Sequence, residues 1–595
     1  MPRHLVRSRR ALRTASAGVA FLALAVGGCS TTDGGPGRAP SPKQEPVTAV
    51  TKAHDLRGPA PEVDGAVEGG TITVHLPGDS SPETIDPTAG WARAGNSILQ
   101  ALTSRSLTQY SRDEEGRPVL VPDLAVDLGR PNTDFTEWTF TIRDDATWED
   151  GRPVTAEEVA FGICRSLDST AFPSGPGAVY SRRFFAGADD YAGPYTGKDP
   201  RCESWDGISV EGQEITITMS TPFPDMDYFG AFMAMGPAPL DRTSRPPRYG
   251  RTPLSTGPYK VARFEAGEEL RLVRNDQWDP ASDPARHQHV DEWVFKFDQD
   301  GAQVDDLMLS DSPESRAAIA TGLGAERFDE ATEKLGDRLV QQSTLCVSTL
   351  MPDYDKIDDI RVRKALAYAY PYDDVWSAAG EVPQVTRRLA SSLLPPGMPG
   401  REEFFVDEAQ ITFDPERSRE LLAEAGHADK PYPITMIYYE LDPDMRAAQE
   451  RIKQGFEAGG FSVKDIPVQS SPYNVWLDPD SKVDRRLNLR GFNWCADWPA
   501  GSSMLPPLLE SGAEYNLADF EETSVDEEMR KISVLPQADQ ADAWGALDER
   551  IMREYFPIIP TAVRNELLVF GEDIGNPSGE VVWGSPNYKD LYVAK

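Results

Sequence analysis

The sequence is short of positive charge: 60 lysines and arginines stand against 96 aspartates and glutamates in 595 residues, a formal charge of −36. That balance excludes nucleic acid as a partner, because phosphate binding needs a basic face. Long hydrophobic runs are missing after residue 28. None approaches the ~18 consecutive apolar residues of a spanning helix, so no later segment is expected to cross a bilayer. Enzyme signatures are absent too: there is no GxSxG elbow, no HExxH, no GxxxxGK[ST] and no GxGxxG after a strand. Histidine is rare, and the one close pair, His287 and His289, lies in a polar stretch read as a solvated loop rather than a metal site. Asp298-Gln299-Asp300-Gly301 lacks the third oxygen ligand and the closing glutamate of a calcium loop. No metal, cofactor or catalytic group is assigned.

What is present starts with an export signal. Arg3, Arg7, Arg9, Arg10 and Arg13 form a basic segment without a carboxylate, followed by the apolar run AGVAFLALAVGG (17–28). That run is too short for a permanent transmembrane helix. Val26-Gly27-Gly28-Cys29 has the small residues before a cysteine that mark a lipobox. Residues 1–28 are therefore expected to be a lipoprotein signal peptide, with Cys29 lipidated and the chain held on the extracytoplasmic face of a bacterial membrane. Ser8-Arg9-Arg10-Ala11-Leu12 also has a twin-arginine pattern. Residues 29–68, rich in Ser, Thr, Gly, Pro and Ala without a hydrophobic period, read as a flexible tether. In an exported chain Cys164, Cys202, Cys346 and Cys495 are expected as disulfides, and arithmetic alone leaves three pairings open.

From Gly69 the pattern is mixed α/β. TITVHL (71–76), Glu137 to Ile142, QEITITM (213–219), a pair from Tyr259 to Val273, and Val290 to Phe297 alternate as strands. Asn96 to Leu107 reads as a helix, Thr155 to Glu158 as a capping box, and residues 301–340 as weakly amphipathic helix. After Cys346, helices at 360–370 and 415–425 and the stripes Met445, Ala448, Ile452, Phe456 and Trp544, Leu547, Ile551, Tyr555 alternate with strands near 433–439, 461–468 and 486–493. One stretch stands apart. In RGFNWCADWPAGSSMLPPLL (490–509) a single acid, Asp497, lies among tryptophans at a strand exit, where a fold can hold a partly dry, charged recognition group.

Several segments together resemble the solute-binding proteins of peptide-type ABC importers, solute-binding family 5, the oligopeptide- and dipeptide-binding lipoproteins. WTFTIRDDATWEDGRPVTAEEVAF (138–161) is the most specific match. Thr256-Gly257-Pro258-Tyr259 with Asn275 and Trp278, DIRVRKALAYAY (359–370), FDPERSRELLAEAG (413–426) and Pro557-Ile558-Ile559-Pro560 follow in the family's order. The resemblance implies a bilobal α/β fold of the type II periplasmic-binding class with an extra inserted third domain. Its lobe I would be 69–102, 207–345 and 557–595, its insertion 103–206, and its lobe II 346–556. It implies a non-enzymatic, monomeric receptor that closes on a peptide and delivers it to ABC permease subunits with a cytoplasmic ATPase. Trp494-Cys495-Ala496-Asp497-Trp498 is similar to the family's WCADY segment, in which the aspartate receives the peptide's α-ammonium. The resemblance further implies a Cys346–Cys495 disulfide, and with it Cys164–Cys202. The expected ligand set is Arg490, Asn493, Trp494, Cys495, Asp497 and Trp498, with Trp91 near a polar contact of the peptide binders. The chain departs from the family at Pro499-Ala500-Gly501 and at Thr561-Ala562-Val563, where an aromatic pair is usual. A metal chelate, a glycoside or another small cation is the alternative ligand, and a peptide-sensing signalling receptor the alternative role.

Overall fold

The computed structural model describes residues 42–44, 49–78, 80–90, 93–173, 175–478 and 480–594. The expected signal peptide, Cys29 and Trp91 lie outside them. Strand β1 (Thr71–Pro77) puts Ile72, Val74 and Leu76 into the core, as its alternation requires. Helix α1 (Arg93–Leu102) begins before the expected Asn96 and stops short of Leu107. Arg105 and Ser106 are drawn instead onto the buried carboxylate of Asp123, which the helix would forbid.

Next come β2 (Thr108–Arg112), β3 (Pro118–Pro122), β4 (Glu137–Thr141), α2 (Ala156–Arg165), β5 (Ile208–Glu211) and β6 (Glu214–Thr218). Thr155 and Glu158 close α2 as a reciprocal capping box. Strands β4, β6 and β5 share one sheet, with Trp138 opposite Ile217. The boundary expected at residue 206 therefore cuts through hydrogen-bonded strands. The N–H groups of Thr256 and Gly257 donate to the Thr103 carbonyl at 3.0 and 2.9 Å, so the chain comes back to where it left. We propose 104–255 as the inserted domain.

The main sheet has ten strands among the described residues. It takes in β7 (Tyr259–Glu265), β8 (Glu269–Arg274), β9 (Glu292–Gln299), β10 (Ala318–Thr321) and β11 (Leu339–Pro352). Strand β10 falls where a helix was expected. Its sequence, AIAT, mixes two alanines, poor strand formers, with β-branched Ile319 and Thr321, and parallel pairing with β1 buries Ala318, Ile319 and Ala320 completely, which decides for strand.

The second lobe contains α3 (Ile360–Ala369), α4 (Pro415–Glu424), β12 (Tyr432–Tyr439), α5 (Pro443–Ala458), β13 (Phe461–Val468), β14 (Leu489–Cys495) and α6 (Gln537–Glu554), and β15 (Ile559–Phe570) then runs back. The carboxylates of Asp359, Asp414 and Asp442 cap α3, α4 and α5. Met445, expected in the core, lies in the first turn of α5 and is 42% exposed. Strands β11 and β15 pair antiparallel from one lobe into the other, and their ladder is interrupted between Ser343 and Val347. At the interruption β14 joins β11, with Cys346 opposite Cys495. The lobe boundary expected at 345/346 is thus the middle of one continuous strand. Disulfides link Cys346 to Cys495 and Cys164 to Cys202, the pairing the resemblance implied.

Two further expectations change. Residues 49–68 are not a free tether: Thr51–Lys52 pairs parallel with β3, and Val50 and Ala60 are buried. Lys52 Nζ lies 2.5 Å from Asp227 and also donates to Gln537 on α6. Composition registers neither a two-residue strand nor one lysine's ion pair. His287 and His289 are not a solvated loop either. Their rings stack 4.8 Å apart, half-buried, and His287 Nδ1 is 3.0 Å from Asp590. No helix among the described residues is long and apolar enough to cross a membrane.

Candidate functional site

Asp497 follows β14 by two residues. The Ala496 N–H still donates to the Leu345 carbonyl at 2.7 Å, and that last bond fixes where the aspartate leaves the sheet. Its carboxylate accepts the phenolic hydrogen of Tyr180, which comes from the inserted domain. Burial pushes the Asp497 carboxyl up to about 7, against the Tyr180 hydrogen bond and the Arg93 charge, which both favour the anion. Burial and the neighbouring Asp497 in turn hold the Tyr180 phenol well above its ordinary range.

Next to the strand end that precedes Asp497 lies a cavity of about 330 Å³, lined mainly by the first lobe and bounded in part by the Cys346–Cys495 disulfide. Arg93, Thr344, the Cys346–Cys495 disulfide, Arg564, Glu566 and Trp583 are among its walls. Arg93 enters from the first turn of α1. It donates to the Trp583 carbonyl at 3.1 Å and to Cys346 Sγ at 2.6 Å, and burial lowers its guanidinium to about 10. The interruption in the β11–β15 ladder turns Arg564 toward this space, with its carbonyl held by Thr344 Oγ1 at 2.8 Å.

The residues expected at the ligand are placed unequally. Asp497 and Cys495 are at the junction of the lobes. Trp494 is half-buried, its indole N–H donating to the Ser503 carbonyl at 2.8 Å and its ring 4.8 Å from Tyr515. Asn493 is exposed on β14. Trp498 is not a ligand wall: it is 2% exposed, packed 4.9 Å from Tyr180 and donating to Asp225 at 3.2 Å. It belongs to a seam where Ser502 and Gln537 also bond Asp225, and Arg183 meets Glu510 at 2.9 Å. Arg490 is not at the ligand either. It is buried, and its fork is taken by Asp484 at 2.8 and 3.0 Å, with Asp353 and the Leu517 carbonyl on Nη1.

Sequence reasoning missed Tyr180, Arg93 and Arg564. Tyr180 lies in an irregular stretch without a periodic signal, and Arg93 lies before the point where the helix was expected to begin. Arg564 stands one residue past Thr561-Ala562-Val563, where the chain departs from the family pattern.

A cavity walled by Arg93, Arg564 and Glu566, with Asp497 two residues past its Cys495 wall, suits capture of a charged small solute. Comparison with known proteins agrees. The family model described as Bacterial extracellular solute-binding proteins, family 5 Middle, matches residues 119–516. The chain is 23% identical over 488 residues to the Periplasmic oligopeptide-binding protein OppA of Salmonella typhimurium, covering 78% of this chain and 83% of that one. It is 21% identical over 544 residues to the Dipeptide-binding protein DppE of Bacillus subtilis, covering 88% and 92%. Among solved structures it superposes on Clavulanic acid biosynthesis oligopeptide binding protein 2 with a TM-score of 0.77 at 22% identity, over 91% of this chain and 99% of that one. A TM-score of 0.65 at 19% identity relates it to Haemophilus influenzae OppA in complex with RPPGFSPFR, over 89% and 100%. The fold is thus the bilobal solute-binding type with an extra domain, and the chain belongs to the bacterial extracellular solute-binding proteins of family 5.

Proposed function

We propose that the protein is the extracytoplasmic receptor of an ABC importer, binding oligopeptides between its lobes and passing them to a permease driven by a cytoplasmic ATPase. It works as a monomer, anchored through a lipid on Cys29. The observation that carries the peptide reading is Asp497, a half-buried carboxylate that follows β14 of the second lobe and accepts the Tyr180 hydroxyl of the inserted domain. A peptide's α-amino group in water titrates near ~8 and is mostly cationic at neutral pH. In a site closed from water a carboxylate holds such a group far more strongly than at a surface. The names of the relatives, oligopeptide- and dipeptide-binding proteins, support the same reading.

Calorimetry with matched free-amine and N-acetylated oligopeptides tests it. The free amines should bind at least ~10-fold more tightly, a difference worth about 1.4 kcal/mol; equal affinities would remove the ammonium role. Tyr180 tunes the same carboxylate. Because its hydrogen bond favours the anion, Tyr180→Phe should move the acidic limb of the affinity profile to higher pH. An unmoved limb would mean that the hydroxyl does nothing for the charge.

A further inference from the structure

The cavity lined by Cys495, two residues before Asp497, carries two cations, Arg93 and Arg564, and one anion, Glu566. Arg564 makes no side-chain hydrogen bond to any described residue, and its Nε is buried without a partner. The nearest carboxylate, Glu566, is 3.8 Å away, an ion pair too long for a hydrogen bond. Arg564 keeps 27% of its side-chain surface, so its fork is accessible from the cavity it lines. Its cross-strand neighbour in register is Arg387, another cation, whose own donors are occupied by Glu381 and the Thr386 carbonyl. Arg93, on the same cavity, is satisfied by the carbonyls of Trp583 and Val582 and by Cys346 Sγ, none of them a carboxylate. In a chain of charge −36, two guanidiniums against one carboxylate, Glu566, on the wall of one cavity are a local excess of positive charge. A guanidinium left short of partners costs stability, and its planar fork matches a carboxylate with two parallel hydrogen bonds.

Cys495, two residues before Asp497, lines the same cavity as Arg564 and Arg93, which brings that charge next to the ammonium site. A ligand whose ammonium reaches Asp497 would therefore bring its first residue to the cavity. We propose that Arg564, backed by the charge of Arg93, is a carboxylate subsite that selects peptides whose first residue is acidic. This rests on the reading that Asp497 receives the ligand's ammonium. Arg564 would form the bidentate contact, and Arg93, held by its carbonyls, would contribute field rather than a fork.

The test uses the full mature chain and peptides differing in one group. Glu-Ala-Ala-Ala should bind at least ~10-fold more tightly than Gln-Ala-Ala-Ala, and Arg564→Gln should abolish the difference. Arg564→Lys, which keeps the charge without the fork, should retain part of it. The melting temperature of Arg564→Gln should not fall, since no protein hydrogen bond is lost, and this separates a binding defect from a folding one. Equal affinities for the two peptides, or a preference that survives in Arg564→Gln, would overturn the proposal. C-terminal amidation distinguishes the other carboxylate. If only amidation weakens binding, and Arg564→Gln cancels that effect, the carboxylate is the C-terminal one and the acidic first residue is wrong. Should no peptide bind, free glutamate against free glutamine separates the two readings. Glutamate binding that depends on Arg564 would leave the subsite standing while the peptide reading falls; no binding of either would overturn both.

Discussion

Asp497→Asn is expected to weaken binding of a free-amine peptide by well over ~10-fold, while an N-acetylated peptide binds wild type and variant alike. The substitution keeps the shape and the hydrogen bond to Tyr180 and removes only the charge. The pH dependence carries a second signature. Without ligand the carboxyl titrates at about 7, so at pH 5 it is neutral and a cationic ligand must first displace its proton. Wild-type affinity should rise from pH 5 to the neighbourhood of 7 and fall again above ~8, as the peptide amine loses its proton. The variant should lack the acidic limb. Stability runs the other way. A carboxyl raised from 3.8 to about 7 in the folded state adds stability that is complete below the unfolded value and is lost as pH rises through 7. The melting temperature of Asp497→Asn relative to wild type should therefore climb between pH 4 and pH 7. Unchanged peptide affinity in the variant would end the assignment.

The largest loss of stability is expected from Asp123→Ala. Asp123 lies at the end of β3 and takes Arg105 Nε at 2.6 Å on one oxygen and Arg286 Nη2 at 2.9 Å on the other. Arg286 also holds Asp283 at 3.1 Å, and all four side chains are at most 1% exposed. Arg143 adds a bond to the Asp123 carbonyl at 3.0 Å. The network rivets the inserted domain to the loop before β9. Removing Asp123 leaves two buried guanidiniums sharing Asp283, which lies 3.1 Å from Arg286 and 3.7 Å from Arg105, and breaking a buried pair from one side costs about 3–5 kcal/mol. Urea unfolding should show that loss, and Asp123→Ala with Arg286→Leu should recover part of it. A loss below ~1 kcal/mol would mean that water reaches the arginines and that the joint is looser than its packing suggests.

Helix caps and strand alternation were legible because they are short-range. Thr155 and Glu158 are three residues apart, Asp414 and Pro415 adjacent, and Ile72, Val74 and Leu76 two apart, so the sequence displays each signal whole. The order of the family segments carried the bilobal fold and the disulfide pairing. Where local preference and tertiary burial disagreed, the local reading failed. Strand β10, AIAT, is too short and mixed to signal either state and is a strand because β1 and β15 flank it. Trp498 beside Asp497 suggested a ligand wall, yet the inserted domain covers it.

By itself, the sequence determined the capped helices and alternating strands, the export signal as an expectation, and Asp497 as the residue to watch. Only the tertiary structure decided what surrounds that aspartate. Tyr180 is 317 positions away and Arg93 further still, and no periodicity records a contact across that distance. The surroundings of Asp497 and of Arg564 arise where four separate stretches of chain meet. Dielectric and burial are properties of that meeting, and no single stretch has them alone.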